Sequence, residues 1–213
     1  MSRDPLEQST NNVGATADEI GSCEASLGFE FPTTYKDYLM GKNGQTGWIG
    51  DGYVRFYSVH ELENENDADW KRFFPNILKI GDTGALEVFA INYDSPPPRF
   101  GILPNIGDKE DFLFQGRTWN ELIERIRNDK LFEKIVSVRI DSKSITVPAG
   151  TTLAAAILAT GETNFRTSVT AEPRAPLCGM GICFECRVTV NGERHVRSCT
   201  ILAQDGMEVV TGE

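Results

Sequence analysis

The sequence predicts an α+β chain of two domains, and three observations carry that prediction. At 213 residues the chain exceeds the usual single-domain length of about 100–150 residues. Its hydrophobic periodicity changes near residue 131, from mixed helical and strand patterns to short alternating strands. Beyond that point four of the five cysteines gather in one stretch. The expected boundaries are a polar lead-in over residues 1–13, a first domain over 14–130 and a second over 131–213.

Composition narrows the class. Apolar residues make up 40% and charged residues 24%, as in ordinary soluble globular protein. No apolar run approaches the roughly 18 residues needed to span a bilayer, so no membrane partner is expected. The stretch Met1–Glu7 lacks the apolar core of a signal peptide, which predicts a cytoplasmic location with cysteines kept reduced. Residues 1–130 hold 13 Lys and Arg against 22 Asp and Glu; residues 131–213 hold 8 against 9. An acidic first half lacks the basic footprint that nucleic acid requires, though it would suit a basic partner.

In the first half, Thr16 caps a predicted helix with Asp18 and Glu19 in its first turn and Ile20, Cys23 and Leu27 on one buried stripe. Cys23 reads there as a small core hydrophobe. Pro32 opens a second helix carrying Tyr35, Tyr38 and Leu39, with Gly41 at its end. The glycine-rich run Gly44–Gly52 lacks the lysine and spacing of a phosphate-binding loop, so its glycines are read as turn-formers. A strand at Val54 and Phe56 leads into one helix over Val59–Phe73. Strands follow near Ile77–Ile80, Leu86–Ile91 and Phe100–Pro104, with Pro96-Pro97-Pro98 marking an irregular connection. A capping box, Thr118 with Glu121, opens a helix with Trp119, Leu122, Ile123 and Ile126 inward.

The progression Ile20, Leu27-Gly28, Phe31-Pro32, Tyr35, Tyr38-Leu39, Asn43-Gly44, Trp48 and Gly52-Tyr53 resembles the SUKH (SMI1/KNR4-like) domain. Ile80-Gly81-Asp82, Phe89-Ala90-Ile91, Phe112 and Thr118–Leu122 continue the resemblance, which covers roughly residues 14–128. It implies an α+β domain without catalytic residues, whose relatives act largely as protein-binding modules, many of them bacterial immunity proteins that neutralise toxins. The residues agree: His60 is the single histidine of this half, and no nucleophile–base pair stands out.

In the second half, Ile135–Ile140 and Ile145–Val147 form a hairpin around Asp141–Ser144. Thr151 or Thr152 caps a helix of Leu153–Ala159 that Gly161 stops. Arg187–Val190 and Glu193–Ser198 flank Asn191-Gly192, the strongest two-residue turn signal, and Glu208–Thr211 closes the sheet. Hairpin, helix, cysteine loop and further strands give a β-grasp order.

Within that order Cys178, Cys183 and Cys186 stand at C-x4-C-x2-C spacing, and Cys199 follows after twelve further residues. This is the ligand arithmetic of a plant-type [2Fe–2S] cluster. Gly179 and Gly181 let the loop turn with positive φ and direct its amides inward toward an anionic group. Zinc and two disulfides are the alternatives. Glycine-rich C-x4-C is atypical of zinc knuckles, and a reducing compartment disfavours disulfides. Arg174 and Arg187 flank the ligands, either softening the cluster's charge or lying free on the surface. Met180, Ile182 and Phe184 are expected to exclude water from it.

Pro148–Thr152, Pro173–Pro176, the Cys178–Cys186 loop and Val196–Cys199 are similar to the small iron–sulfur subunits of flavin-dependent amine, opine and hydrogen cyanide-forming dehydrogenases. That resemblance covers roughly residues 134–213 and includes the short gap before Cys199. It implies a ferredoxin-like domain serving a flavoprotein dehydrogenase or oxidase subunit. No dinucleotide fingerprint or flavin signature stands in the chain itself. The expected function is therefore a one-electron relay rather than catalysis, with the first domain docking a further protein. The alternative is an immunity or interaction protein whose cluster is structural or redox-sensing.

Overall fold

A computed structural model describes residues 13–212. The lead-in expected over 1–13 lies outside the described residues but for Val13. Ala15, within the first domain expected from residue 14, is buried and donates its N–H to the Leu39 carbonyl at 2.8 Å. A Cβ on Gly14 would meet the Met40 carbonyl oxygen at 1.7 Å, so the chain enters too closely for any side chain there.

Two compact units follow, the first ending at Glu133 and the second beginning at Lys134. In the first, α1 (Ala17–Leu27) starts on a complete capping box. Thr16 Oγ1 accepts from the Glu19 amide, and the Glu19 carboxylate accepts from the Thr16 amide. Gly28, at φ 79°, ends it. Ile20, Cys23 and Leu27 are buried as the 3–4 spacing predicts. α2 (Thr33–Gly41) buries Tyr35 and Leu39.

Six strands then form one antiparallel meander: β1 (Gln45–Ile49), β2 (Gly52–Phe56), β3 (Ile77–Asp82), β4 (Glu87–Asn92), β5 (Arg99–Pro104) and β6 (Leu113–Gly116). On β4, Phe89 and Ile91 face a core with Tyr35, Phe56 and Trp119, while Val88 and Ala90 face a smaller one with Trp70 and Phe74. Burial on both faces explains why the central strands read as unbroken apolar runs. α5 (Trp119–Arg127) closes the larger core, its Trp119 ring stacked on Tyr38 at 4.1 Å between centroids.

The glycine-rich run supplies the turn of a β-hairpin, with Gly50 at φ 57°, where a Cβ would meet the Arg127 carbonyl at 2.5 Å. Two expectations for this unit are corrected. The single helix over 59–73 is two, α3 (Val59–Glu65) and α4 (Ala68–Phe73). Asn66 breaks it because its buried amide donates to the Leu62 and Lys79 carbonyls and accepts from the Lys79 amide, at 2.8–2.9 Å. Asp67 then caps α4 through the Trp70 amide. The second correction is β6, a strand the sequence pattern did not mark.

The second unit is a five-stranded sheet with α6 (Leu153–Ala159) over its core, plus a short antiparallel pair, β9 (Arg166–Thr167) and β10 (Pro173–Arg174). The sheet order is β12 (Glu193–Arg197), β11 (Arg187–Val190), β13 (Glu208–Val210), β7 (Ile135–Ile140), β8 (Lys143–Pro148). Among the described residues the one parallel pairing is between β13 and β7, and it puts β13 at the centre. Both hairpins turn on two residues with positive φ, Asp141-Ser142 and Asn191-Gly192, so the first turn is two residues shorter than expected. The molecule is thus α+β in two parts, as the sequence predicts.

Candidate metal centre

Two ties set the position of Cys199. In the β11–β12 hairpin, the Ser198 amide and hydroxyl both donate to the Cys186 carbonyl, at 3.2 and 2.6 Å. That fixes the third and fourth cysteines side by side. From the other direction, α6 begins with Thr152 capping the Ala155 amide. The Leu153 and Ala154 amides, which no helical carbonyl can reach, are satisfied by Ile201 and Ser198 at 2.8 and 3.1 Å. The segment bearing Cys199 is held by a helix start on one side and a hairpin on the other.

Cys178–Cys186 has no regular structure and curls through positive φ at Gly179 (68°), Gly181 (78°) and Phe184 (61°). Gly181 is doubly constrained, since a Cβ there would also meet Thr200 Cγ2 at 2.8 Å. The curl turns amides inward. Cys178 Sγ accepts from the Cys183 and Met180 N–H groups, each at 3.5 Å. Those amides, first that of Cys183 and then that of Met180, hold the thiol down at about 6 and so favour thiolate. The Cys183 thiol and the Ile182 amide act in the same direction. At Cys199 burial dominates and pushes the thiol up, followed by its hydrogen bond with the Cys186 thiol, while the Gly181 amide opposes both.

The Cys183 thiol acts on Cys178 and the Cys186 thiol on Cys199, and the charge of Cys178 is also felt at Cys199. Among the described residues no set of three or more His, Cys, Asp or Glu side chains converges on a single ion. Four cysteines at this spacing, the first of them accepting two loop amides, fit a two-iron anionic group. When bound, such a group stores and releases one electron. Cys23 stays apart, in the core of the first unit, its thiol donating to the Val59 carbonyl.

Residues around the loop depart from expectation. Arg174 pairs with Glu172 at 2.8 Å, while Arg187 Nε donates to the Phe184 carbonyl at 3.1 Å, within the loop itself. Met180, Ile182 and Phe184 do not cover the loop. They are 66%, 70% and 49% exposed, and Leu177 beside them is 80% exposed. Alternation with the glycines and cysteines points these side chains away from the curl. Two partners had no local sequence signal. Arg197 donates to the Gly181 carbonyl at 3.0 Å and lies over the Phe184 ring, and Arg166 makes two 2.9 Å bonds to Glu185. Only the sheet register brings Arg197 there.

Comparison with known proteins assigns both units. Residues 14–124, more than half of the chain, match the family described as SMI1 / KNR4 family (SUKH-1). The chain belongs to that family. Residues 133–213 match the 2Fe-2S iron-sulfur cluster binding domain, so this SUKH-1 member also carries a [2Fe–2S] domain. A curated relative is hydrogen cyanide synthase subunit HcnA of Pseudomonas protegens, 29% identical over 76 residues. The match covers 36% of this chain and 72% of the relative. Among solved structures, L-proline dehydrogenase from P. horikoshii matches at 25% identity with a TM-score of 0.33, covering 37% of this chain and 16% of that one. No described helix is long and apolar enough to cross a membrane.

Proposed function

We propose that this chain is the iron–sulfur component of a flavin-dependent oxidoreductase, and that Cys178, Cys183, Cys186 and Cys199 hold its [2Fe–2S] cluster. The observation that carries the reading is the curled loop whose Met180 and Cys183 amides donate to Cys178 Sγ, with Cys199 tied beside Cys186 through Ser198. A one-electron centre without a second cofactor site of its own has to exchange electrons with another protein. The resemblance of the second unit to a subunit of hydrogen cyanide synthase supports a flavoprotein dehydrogenase or oxidase as that protein. In this reading the domains run over residues 14–130 and 131–213, and the chain works in the cytoplasm without contacting nucleic acid or membrane.

The chain's own residues divide the work. The amides of Met180 and Cys183 hold negative charge on the first ligand, and Cys186 and Cys199 supply a buried pair. Arg187 and Arg197 place positive charge against the loop backbone, which favours the reduced, more negative state. Anaerobically purified protein is expected to be brown, with about two irons and two sulfides per chain. Cys183→Ala should lose the colour and the transfer of electrons to a flavoprotein co-expressed with it. Colourless protein carrying zinc would end the proposal.

The SUKH-1 membership of the larger unit supports a second role, docking of a protein partner. If the chain is instead an immunity or interaction protein, Cys183→Ala should abolish its fold or its partner binding, and no electron transfer should accompany it.

A further inference from the structure

Four arginines surround the cysteine loop, and they are not equivalent. Arg166 and Arg174 are neutralised by Glu185 and Glu172. Arg187 and Arg197 bond to backbone carbonyls of the loop, Phe184 and Gly181, and among the described residues neither has a carboxylate within ion-pair distance. Arg197 is exposed and Arg187 half-buried, each held against the loop by its carbonyl bond. The same segment exposes Leu177, Met180, Ile182 and Phe184, and the Arg197 guanidinium sits 5.4 Å from the Phe184 ring centroid. An apolar surface edged by two uncompensated guanidiniums matches a partner with the opposite arrangement: apolar in the middle, carboxylate at the edge.

We propose that the cysteine-loop face is the docking surface for the electron partner, and that the partner presents an acidic surface to Arg187 and Arg197. This rests on the relay reading given above. The polarity is notable because the whole chain has a formal charge of −10, which repels an anionic protein at long range. Salt at physiological strength screens charges beyond about 8 Å, so the two arginines govern the final approach.

Redox-inert and redox-active complex ions test the surface on the full-length, cluster-loaded protein. Hexacyanochromate(III), a trianion, is expected to broaden the methyl resonances of Met180, Leu177 and Ile182 more than the trication hexaamminechromium(III). In stopped flow, dithionite-reduced protein loses one electron to ferricyanide, whose Fe(III) becomes Fe(II), or one to hexaammineruthenium(III). Removing a unit charge about 8 Å from a trivalent ion changes the rate about two- to threefold in water at physiological salt, in opposite directions for the two oxidants. The ratio of the two rate constants, in which a shift of cluster potential largely cancels, should thus fall about tenfold or more in R187Q/R197Q. R187K/R197K should restore it. K71Q/R72Q, the same charge change placed in the first unit, should leave it unchanged.

Stronger broadening by the cation would overturn the proposal, as would a ratio that follows net charge alone, with both glutamine pairs alike. Brown protein without the anion preference refutes only the acidic partner. Colourless protein refutes the relay as well.

Discussion

The two units solve the same problem, enclosing a core, by different means. The first assembles large aromatic rings. Trp119 contacts Tyr35, Tyr38, Phe56 and Phe100 with centroids 4.1–6.4 Å apart, and the central strands bury both faces. The second has no tyrosine or tryptophan at all, and its core is mostly Val, Ile, Leu and Ala with two cysteines, Cys186 and Cys199, built into it. A unit of about 80 residues has little apolar surface to bury, and small domains commonly add a metal to compensate. In the proposed reading two of its core positions, Cys186 and Cys199, serve as metal ligands as well as packing groups, whereas the core of the first unit serves packing alone.

The largest expected effect breaks that comparison at its centre. Iron removal, or Cys186→Ala, should abolish visible absorption and the melting transition of the second unit, since bound metal contributes on the order of 10 kcal/mol to folding in small metal-dependent domains. The first unit's tyrosine and tryptophan fluorescence should still report a cooperative transition. Because every Tyr and Trp lies in the first unit, the two signals can be followed separately. Loss of both transitions together would refute the division of labour.

Trp119→Ala comes next, at about 3–5 kcal/mol for deletion of a buried ring. Urea unfolding monitored through the remaining tryptophans should shift, while iron content stays at its original value. Asn66→Ala should cost about 2 kcal/mol, because it leaves the Lys79 amide and carbonyl without their side-chain partner. Its effect should again be confined to the fluorescence signal.

The smallest effect sharpens the contrast through pH. Burial, reinforced by Glu63 and Glu24, pushes the Cys23 thiol up to about 11, and burial raises Tyr35, Tyr38, Tyr57 and Tyr93 further. Unfolded Cys and Tyr lose their protons near 8.5 and 10. A folded value above the unfolded one stabilises fully below the unfolded value and is lost as pH rises through the folded one. The first unit should therefore lose stability progressively from about pH 8.5 upward. Cys23→Ala should remove the earliest part of that loss, seen as a flatter midpoint between pH 8.5 and 10.

What the sequence makes legible is local. The α1 stripe, the Asn191-Gly192 turn, the C-x4-C-x2-C loop and the positions of the central strands all depend on spacing within about ten residues, and each was readable from the pattern. Other features depend on partners distant in the chain. The break at Asn66 needs the Lys79 backbone, thirteen residues away, and Arg197 meets Gly181 because β12 folds back beside the loop. Met180 and Ile182, expected from their hydrophobicity to exclude water from the cluster, are exposed. Hydrophobicity ranks burial on average, and a loop whose amides turn inward leaves its apolar side chains outside.

The helix start that holds Cys199 has a consequence for the order of assembly. In the proposed four-cysteine site, Cys178, Cys183 and Cys186 lie within nine residues, so their loop could collect iron while the chain is still largely open. Cys199 reaches them only after the β11–β12 turn has closed and the first amides of α6 have found the Ser198 and Ile201 carbonyls. The fourth sulfur thus arrives last, brought by the fold itself. Completion of this small sheet and sealing of the metal site become a single event.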